Sequence, residues 1–384
     1  MDTPTPERSY LDNAATAPLR PEAYAAITET LALTGNASSL HGSGRRLRAV
    51  LEDSRDQLAA DLGCDPVEVV FTSGGTEADN LAVQGAWRAR PQGSIGQRNR
   101  LIGSTIEHPA IADTLAALAA EGADVAECPV GPDGALDRAM LAELLTVPTL
   151  LTTVMWVNNE VGVAQDIPQI AEQAHAAGSW AHSDGVQALG HLPVDFTASG
   201  LDLLTVTAHK VGGPVGIGAL IVRRELPLRA YAFGGGQERD LRSGTSAPAL
   251  VAGFAAAVHA AVTGREAEEA RLQGLRDRLL AGLPAGAEVN GARGSAAIAN
   301  IWFPGGRSDD LLMLLDGAGI DTSAGSACSA GVARPSDVLL ALGLDEDRAT
   351  ESLRISLGWQ TTEADIDRLL AALPEVSARA RAAR

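Results

Sequence analysis

Apolar positions along the chain follow two periods. Short apolar runs over 68–72, 100–104, 151–157, 179–182, 203–207 and 219–223 have the length of buried strands. Between several of them apolar residues recur at helical spacing, over 76–88, 110–121 and 167–177. Strands that alternate with helices predict an α/β fold with a mostly parallel sheet and helices on both faces. Past about residue 250 the pattern changes to a long Ala-, Arg- and Glu-rich helix reaching about residue 283, a strand-like run over 296–303, and further helices. This divides the chain into a large domain over 17–255 and a smaller α+β domain built from 1–16 and 256–384. The stretch 91–97 reads as an exposed loop, and no internal repeat is present.

Five of the apolar runs stop at a polar cluster. Ser73-Gly74-Gly75-Thr76-Glu77 closes the first, Glu107-His108 the second and Asn158-Asn159-Glu160 the third. Asp184 with Gln187 follows the fourth, and His209-Lys210 the fifth. Ligands of open α/β sheets bind beyond the carboxyl ends of the strands, so five such clusters at one edge point to a site. Gly74-Gly75-Thr76 opens a helix whose free N–H groups and dipole suit a phosphate. Thr76 and Asp79 equally have the spacing of a capping box. Asp184 suits a protonated ring nitrogen or an Asx turn. His108 offers a flat ring to lie over a cofactor or to move protons, or a structural role at a helix start.

Charge and composition narrow the partners. With 48 acidic and 30 basic residues the net charge is −18, and aromatics make up 3% of the chain. Neither suits a nucleic-acid or anionic-membrane surface. The N-terminal residues lack the basic and apolar regions of a secretory signal, and Glu143 and Pro148 interrupt the most apolar stretch. Three separated cysteines (Cys64, Cys128, Cys328) fit a reducing compartment and no zinc pair, which predicts a cytoplasmic protein.

One count changes the picture. Lys210 is the only lysine, where a chain of this length ordinarily carries roughly two dozen. A compositional bias toward arginine explains the missing lysines but not the surviving one. A guanidinium cannot replace an amine nucleophile, so Lys210 is a candidate Schiff-base residue. An amine, an acid for a pyridine nitrogen and a phosphate cradle together specify pyridoxal phosphate rather than a nucleotide. No G-x-G-x-x-G lies in a strand-to-helix turn, and the glycines over 212–218 read as a tight turn beside the lysine. The seven histidines show no H-E-x-x-H spacing.

Two features belong to the second half. Arg354, a charge in the apolar run Leu353-Arg354-Ile355, suits a bidentate grip on a carboxylate or an ordinary ion pair between domains. Cys328 lies among small residues, where a thiol delivered by a loop would lie, or is an incidental loop residue. Cys64 and Cys128 read as packing residues.

With these residues in view, the chain resembles the cysteine desulfurases of the NifS/IscS type, in the class V group of fold-type-I pyridoxal-phosphate enzymes. The resemblance runs from Tyr10-Leu11-Asp12-Asn13-Ala14-Ala15-Thr16 to Arg354-Ile355-Ser356-Leu357-Gly358. Its most specific stretches are 72–80, 157–162, 208–210, 242–245 and 323–328. It implies that Lys210 holds the cofactor, Asp184 pairs with the pyridine nitrogen and His108 stacks on the ring. Asn159 and Gln187 would sit near the ring hydroxyl, and Gly75, Thr76, Thr207 and His209 at the phosphate. Thr245 would reach the phosphate from the other subunit of a homodimer. Arg354, with Asn159, would bind L-cysteine, and Cys328 would take its sulfur as a persulfide, leaving L-alanine. The sulfur would pass to an acceptor protein, in iron–sulfur cluster assembly, tRNA thiolation or another pathway. Ala324, Ser329-Ala330-Gly331 and Ser183-Asp184-Gly185 depart from the family's usual residues by small-for-small changes. A selenocysteine lyase or amino-acid β-lyase of the same fold stays open, as does a non-catalytic dimeric scaffold for sulfur-transfer partners.

Overall fold

The computed structural model describes residues 8–90, 98–292, 294–324 and 334–383. After a two-residue strand β1 (Ser9–Tyr10), seven strands form the central sheet. They are β2 (Val69–Thr72), β3 (Arg100–Ser104), β4 (Asp124–Cys128), β5 (Thr149–Thr153), β6 (Trp180–Asp184), β7 (Leu203–Thr207) and β8 (Gly218–Val222). Their order is β2-β8-β7-β6-β5-β3-β4. Only β8 runs against the others, pairing antiparallel with both β2 and β7. The carboxyl ends of β2, β3, β5, β6 and β7 therefore share one edge, and Gly218 at the start of β8 sits there between Thr72 and Thr207.

The apolar runs are continuous because both faces of the sheet are covered. Successive strand residues alternate between two cores. Val70, Leu101, Leu203 and Leu220 pack against helices Gly75–Ala89 and Pro109–Ala120. Phe71, Ile102, Leu204 and Ile221 pack with residues of helices Gly42–Leu62, Ile167–Ala176 and Pro248–Thr263. A separate core joins Leu11 and Ala14 to residues from Leu272 to Ala380. It surrounds a three-stranded antiparallel sheet of β9 (Glu288–Asn290), β10 (Ile298–Trp302) and, after the short β11 (Ile320–Asp321), β12 (Ser352–Ser356). β1 pairs with β11, which carries the N-terminal segment onto this second unit.

Three elements differ from the sequence pattern. The long helix past residue 250 is two helices, Pro248–Thr263 and Arg265–Ala281, parted at Gly264. The run 151–157 is a strand only as far as Thr153; its remainder crosses the sheet edge. The edge strand β4 has no apolar run to betray it, since Asp124 and Glu127 are exposed. Among the described residues, no helix is long and apolar enough to cross a membrane.

Candidate active site

The β2 strand ends in a turn that opens helix Gly75–Ala89. Gly74 caps this helix without any side-chain hydrogen bond, so the first-turn N–H groups face outward unfilled by the protein's own cap. The capping box suggested by Thr76 and Asp79 does not form. Asp79 turns inward and is 1% exposed, while the Glu77 carboxylate accepts from the Ser73 N–H (2.5 Å) and from Arg242 Nε (3.0 Å). A Cβ on Gly218 would stand 2.8 Å from the Gly74 backbone, so β8 presses closely on this turn. The Thr207 hydroxyl, at the end of β7, donates to the Ile217 carbonyl (3.2 Å), which leaves the hydroxyl oxygen available to a further donor.

Lys210 lies just beyond β7. Its Nζ donates to the carbonyls of Ala14 (2.5 Å) and Ala15 (2.8 Å). Gln187 Nε2 donates to the same Ala14 carbonyl (2.9 Å), and His209 Nδ1 meets the Thr16 hydroxyl (3.2 Å). Burial and the neighbouring Lys210 charge push His209 down to about 4. Asp184 ends β6, buried, with Oδ1 accepting from the Val186 N–H (2.9 Å). That is an Asx-turn contact, so the turn and a ligand role coexist. Burial raises the Asp184 carboxyl, a rise that its neighbours His108 and Lys210 oppose. His108 caps helix Pro109–Ala120 through Nδ1, which accepts from the Ala110 N–H (3.1 Å). Burial lowers its pKa, so near neutrality the ring is neutral with its proton on Nε2. His108 and Thr76 line one open cleft with Asn80, Gln84 and Asp113.

Beneath these residues lies a polar cluster that the sequence pattern did not single out. His182, two positions before Asp184 on β6, is 2% exposed and bonded to the hydroxyls of Thr153 (2.8 Å) and Thr205 (3.1 Å). Its Nε2 is 3.8 Å from Asp79 Oδ1. Burial and the charge of Asp184 push the Asp79 carboxyl up. Glu107 is buried too: it accepts from the Ser104 hydroxyl and the Met155 N–H, and burial lifts it to about 8. The signal that could have revealed His182 is the two-residue strand period, which puts it on the same face as Asp184.

Arg354 lies in β12, 3% exposed. Its terminal nitrogens donate to Asp12 Oδ1 (2.7 Å) and to the Asn159 carbonyl (3.0 Å), while its buried Nε has no acceptor among the described residues. Asn159 thus touches the arginine through its backbone. Its neighbour Asn158 shapes the turn, with Oδ1 accepting from the N–H groups of Glu160 and Val161 (both 2.9 Å). Ser323, the residue before Ala324, pairs with Arg354 through both backbone hydrogen bonds (2.7 and 3.1 Å). Cys328 lies outside the described residues. Cys64 and Cys128 belong to the packed interior, and burial pushes both thiols up to about 12, which leaves them unreactive. Thr245 is exposed, in a segment anchored to helix Gly75–Ala89 by Arg242–Glu77, to helix Gly42–Leu62 by Arg55 donating to Glu238 (2.9 Å), and to β2 by Glu238 accepting from the Phe71 N–H (3.2 Å).

The family profile described as Aminotransferase class-V matches residues 9–369. An IscS-like cysteine desulfurase of Mycobacterium tuberculosis is 46% identical over 384 residues, covering 98% of each chain. The chain belongs to the IscS/NifS-like cysteine desulfurases of the class-V aminotransferase family. A cysteine desulfurase IscS of Enterobacter is 40% identical, over 93% of this chain and 90% of that one. A solved NifS-like protein superposes with a TM-score of 0.90 at 30% identity, over 97% of this chain and 99% of that one. The fold of this chain is thus that of the solved NifS-like protein over nearly its whole length.

Proposed function

We propose that this desulfurase converts L-cysteine to L-alanine at the shared strand edge, with pyridoxal phosphate joined to Lys210 and Cys328 receiving the sulfur. The observation that carries the reading is the convergence there of one amine, one buried acid and one uncapped helix N-terminus. These residues fit the cofactor. Asp184 is a desolvated carboxyl to which a protonated ring nitrogen would bring a matching charge. The first turn after Gly74, with Gly75, Thr76, Thr207 and His209, suits a phosphate. Gln187 and Asn159 would serve the ring hydroxyl, and His108 its face. When bound, pyridoxal phosphate supplies an electron-withdrawing ring that takes up the electron pair freed at the amino acid's α-carbon.

The protein's own residues do the rest. Arg354 grips the α-carboxylate of L-cysteine and fixes which bond at the α-carbon is presented. The Lys210 amine stands ready to move the proton at that carbon, with the Ala14 and Ala15 carbonyls to hold its ammonium form. His108 holds a proton on Nε2 that it can exchange with the substrate. The Cys328 thiolate attacks the substrate's sulfur; an S–S bond forms as the C–S bond breaks, and the electron pair stays with the β-carbon, which takes up a proton to become alanine's methyl group. A protein acceptor then takes the sulfur, and the IscS-like relatives favour one in iron–sulfur cluster assembly. The chain works as a homodimer, with Thr245 reaching the partner's phosphate site.

Brief exposure of the holoenzyme to L-cysteine, followed by intact mass and peptide mapping, tests this. The expected result is one added sulfur on the peptide containing Cys328, removed by a reductant, together with alanine. Alanine or pyruvate released without that sulfur would point to a β-lyase instead.

A further inference from the structure

The segment from Leu11 to Thr16 lies between the two units and touches both halves of the site. Its backbone is pinned to β12: Leu11 accepts from the Ser356 N–H (2.8 Å), the Asn13 side chain donates to the Ser356 carbonyl (2.9 Å), and the Ala14 N–H donates to the Ser356 hydroxyl (2.9 Å). Two residues of this segment carry the carbonyls that Lys210 engages, and Asp12 carries the carboxylate that Arg354 engages at 2.7 Å. A guanidinium only 3% exposed has to be paired and oriented, or its burial is costly. Among the described residues, Asp12 and the Asn159 carbonyl take one N–H each of the five a guanidinium offers, and Nε has no acceptor. The arrangement is a cation held from two sides, with donors that the described residues leave unfilled. A planar, two-oxygen anion is the ligand such a remainder fits.

We propose that Asp12 is a positioning residue for the substrate: it clamps Arg354 by one terminal nitrogen and thereby aims the remaining N–H groups at the α-carboxylate of L-cysteine. The proposal rests on the reading of Arg354 as the carboxylate grip. Because Asp12 and the Lys210-binding carbonyls belong to one pinned segment, the same short stretch sets how far the carboxylate grip stands from the amine. Asp12 also balances the arginine's charge, so an incoming carboxylate shares the guanidinium with it rather than meeting an uncompensated cation.

The experiment compares Asp12→Ala, Asp12→Asn, Arg354→Gln and the Asp12→Ala/Arg354→Gln double variant as holoenzymes. It reads KM and kcat for L-cysteine, the Kd of L-alanine by calorimetry, and the cofactor's absorption. Asp12→Ala should raise KM and Kd about tenfold with kcat within about threefold and the absorption unchanged. Asp12→Asn keeps an acceptor oxygen and should cost about threefold, which also serves if the alanine variant does not fold. In the Arg354→Gln background, adding Asp12→Ala should change Kd by less than about twofold, because the two residues act as one unit. A purely structural role predicts additive losses and an altered absorption spectrum, and either overturns the proposal. If Arg354→Gln leaves KM unchanged, the carboxylate-grip reading falls and the proposal with it. If Arg354→Gln raises KM while both Asp12 variants leave it alone, only the proposal falls.

Discussion

Single buried groups under the site give the stability of this protein a defined pH dependence. His182 is held neutral between two threonine hydroxyls, and burial lowers its pKa from 6.5 to about 3. The unfolded chain takes up this proton near pH 6.5 and the folded chain does not. Its contribution is therefore complete above that pH and is lost progressively on acidification toward pH 3. By linkage the loss at pH 5 amounts to about 2 kcal/mol. Glu107 acts with the opposite sign. Its folded pKa is lifted from 4.5 to about 8, so its contribution is complete below pH 4.5 and is lost as pH rises through 8. Thermal and urea unfolding between pH 5 and pH 8 checks both. His182→Asn should narrow the stability gap between pH 7 and pH 5 by about 2 kcal/mol, and Glu107→Gln should be relatively more stable at pH 8 than at pH 5. Unchanged pH profiles in both variants would show that other groups govern the titration.

At the scale of elements, the turn between β2 and helix Gly75–Ala89 depends on how closely β8 approaches it. A methyl group on Gly218 would meet the Gly74 backbone and the Val206 carbonyl oxygen, each at 2.8 Å, and neither is the end of a flexible side chain. Gly218→Ala should therefore cost about 1–3 kcal/mol and weaken cofactor retention, because the turn proposed to hold the phosphate must itself move. Gly42→Ala meets nothing within 4 Å and should change stability by no more than about 0.5 kcal/mol. Melting temperatures and cofactor titration of the two variants decide it; equal behaviour would mean the approach of β8 does not place the turn. The sequence exposed this edge well, since β2, β3, β6 and β7 are apolar runs that end in unlike polar residues. It exposed the interior of the site poorly. The spacing of Thr76 and Asp79 is that of a cap, and only packing against His182 and Thr205 shows that Asp79 turns inward. Asp12 and Arg354 are 342 residues apart, so no local pattern announces their pairing. The polar edge strand β4 is fixed by its parallel register with β3 rather than by its own composition.

The whole molecule bears on where a complete site can exist. Thr245 is exposed on its own chain, although the segment around it is fastened to the first turn of helix Gly75–Ala89 through Arg242 and Glu77. Phe233 (87% exposed), Leu40 (89%) and Val215 (74%) are large apolar side chains left bare on the chain. If Thr245 serves its partner, each site takes Lys210 from one subunit and Thr245 from the other, and a two-fold dimer contains two such composite sites. Mixing variants separates this from a site built within one chain. Lys210→Ala and Thr245→Ala, each impaired alone, should exchange subunits to give mixed dimers in which one site carries both defects and the other carries neither. Equal mixing at random then restores about a quarter of all sites. Desulfurase activity and the fraction of cofactor retained after dialysis both report the recovery. No recovery, with subunit exchange verified by native mass spectrometry, would place Thr245 at its own chain's phosphate site and make each subunit self-sufficient.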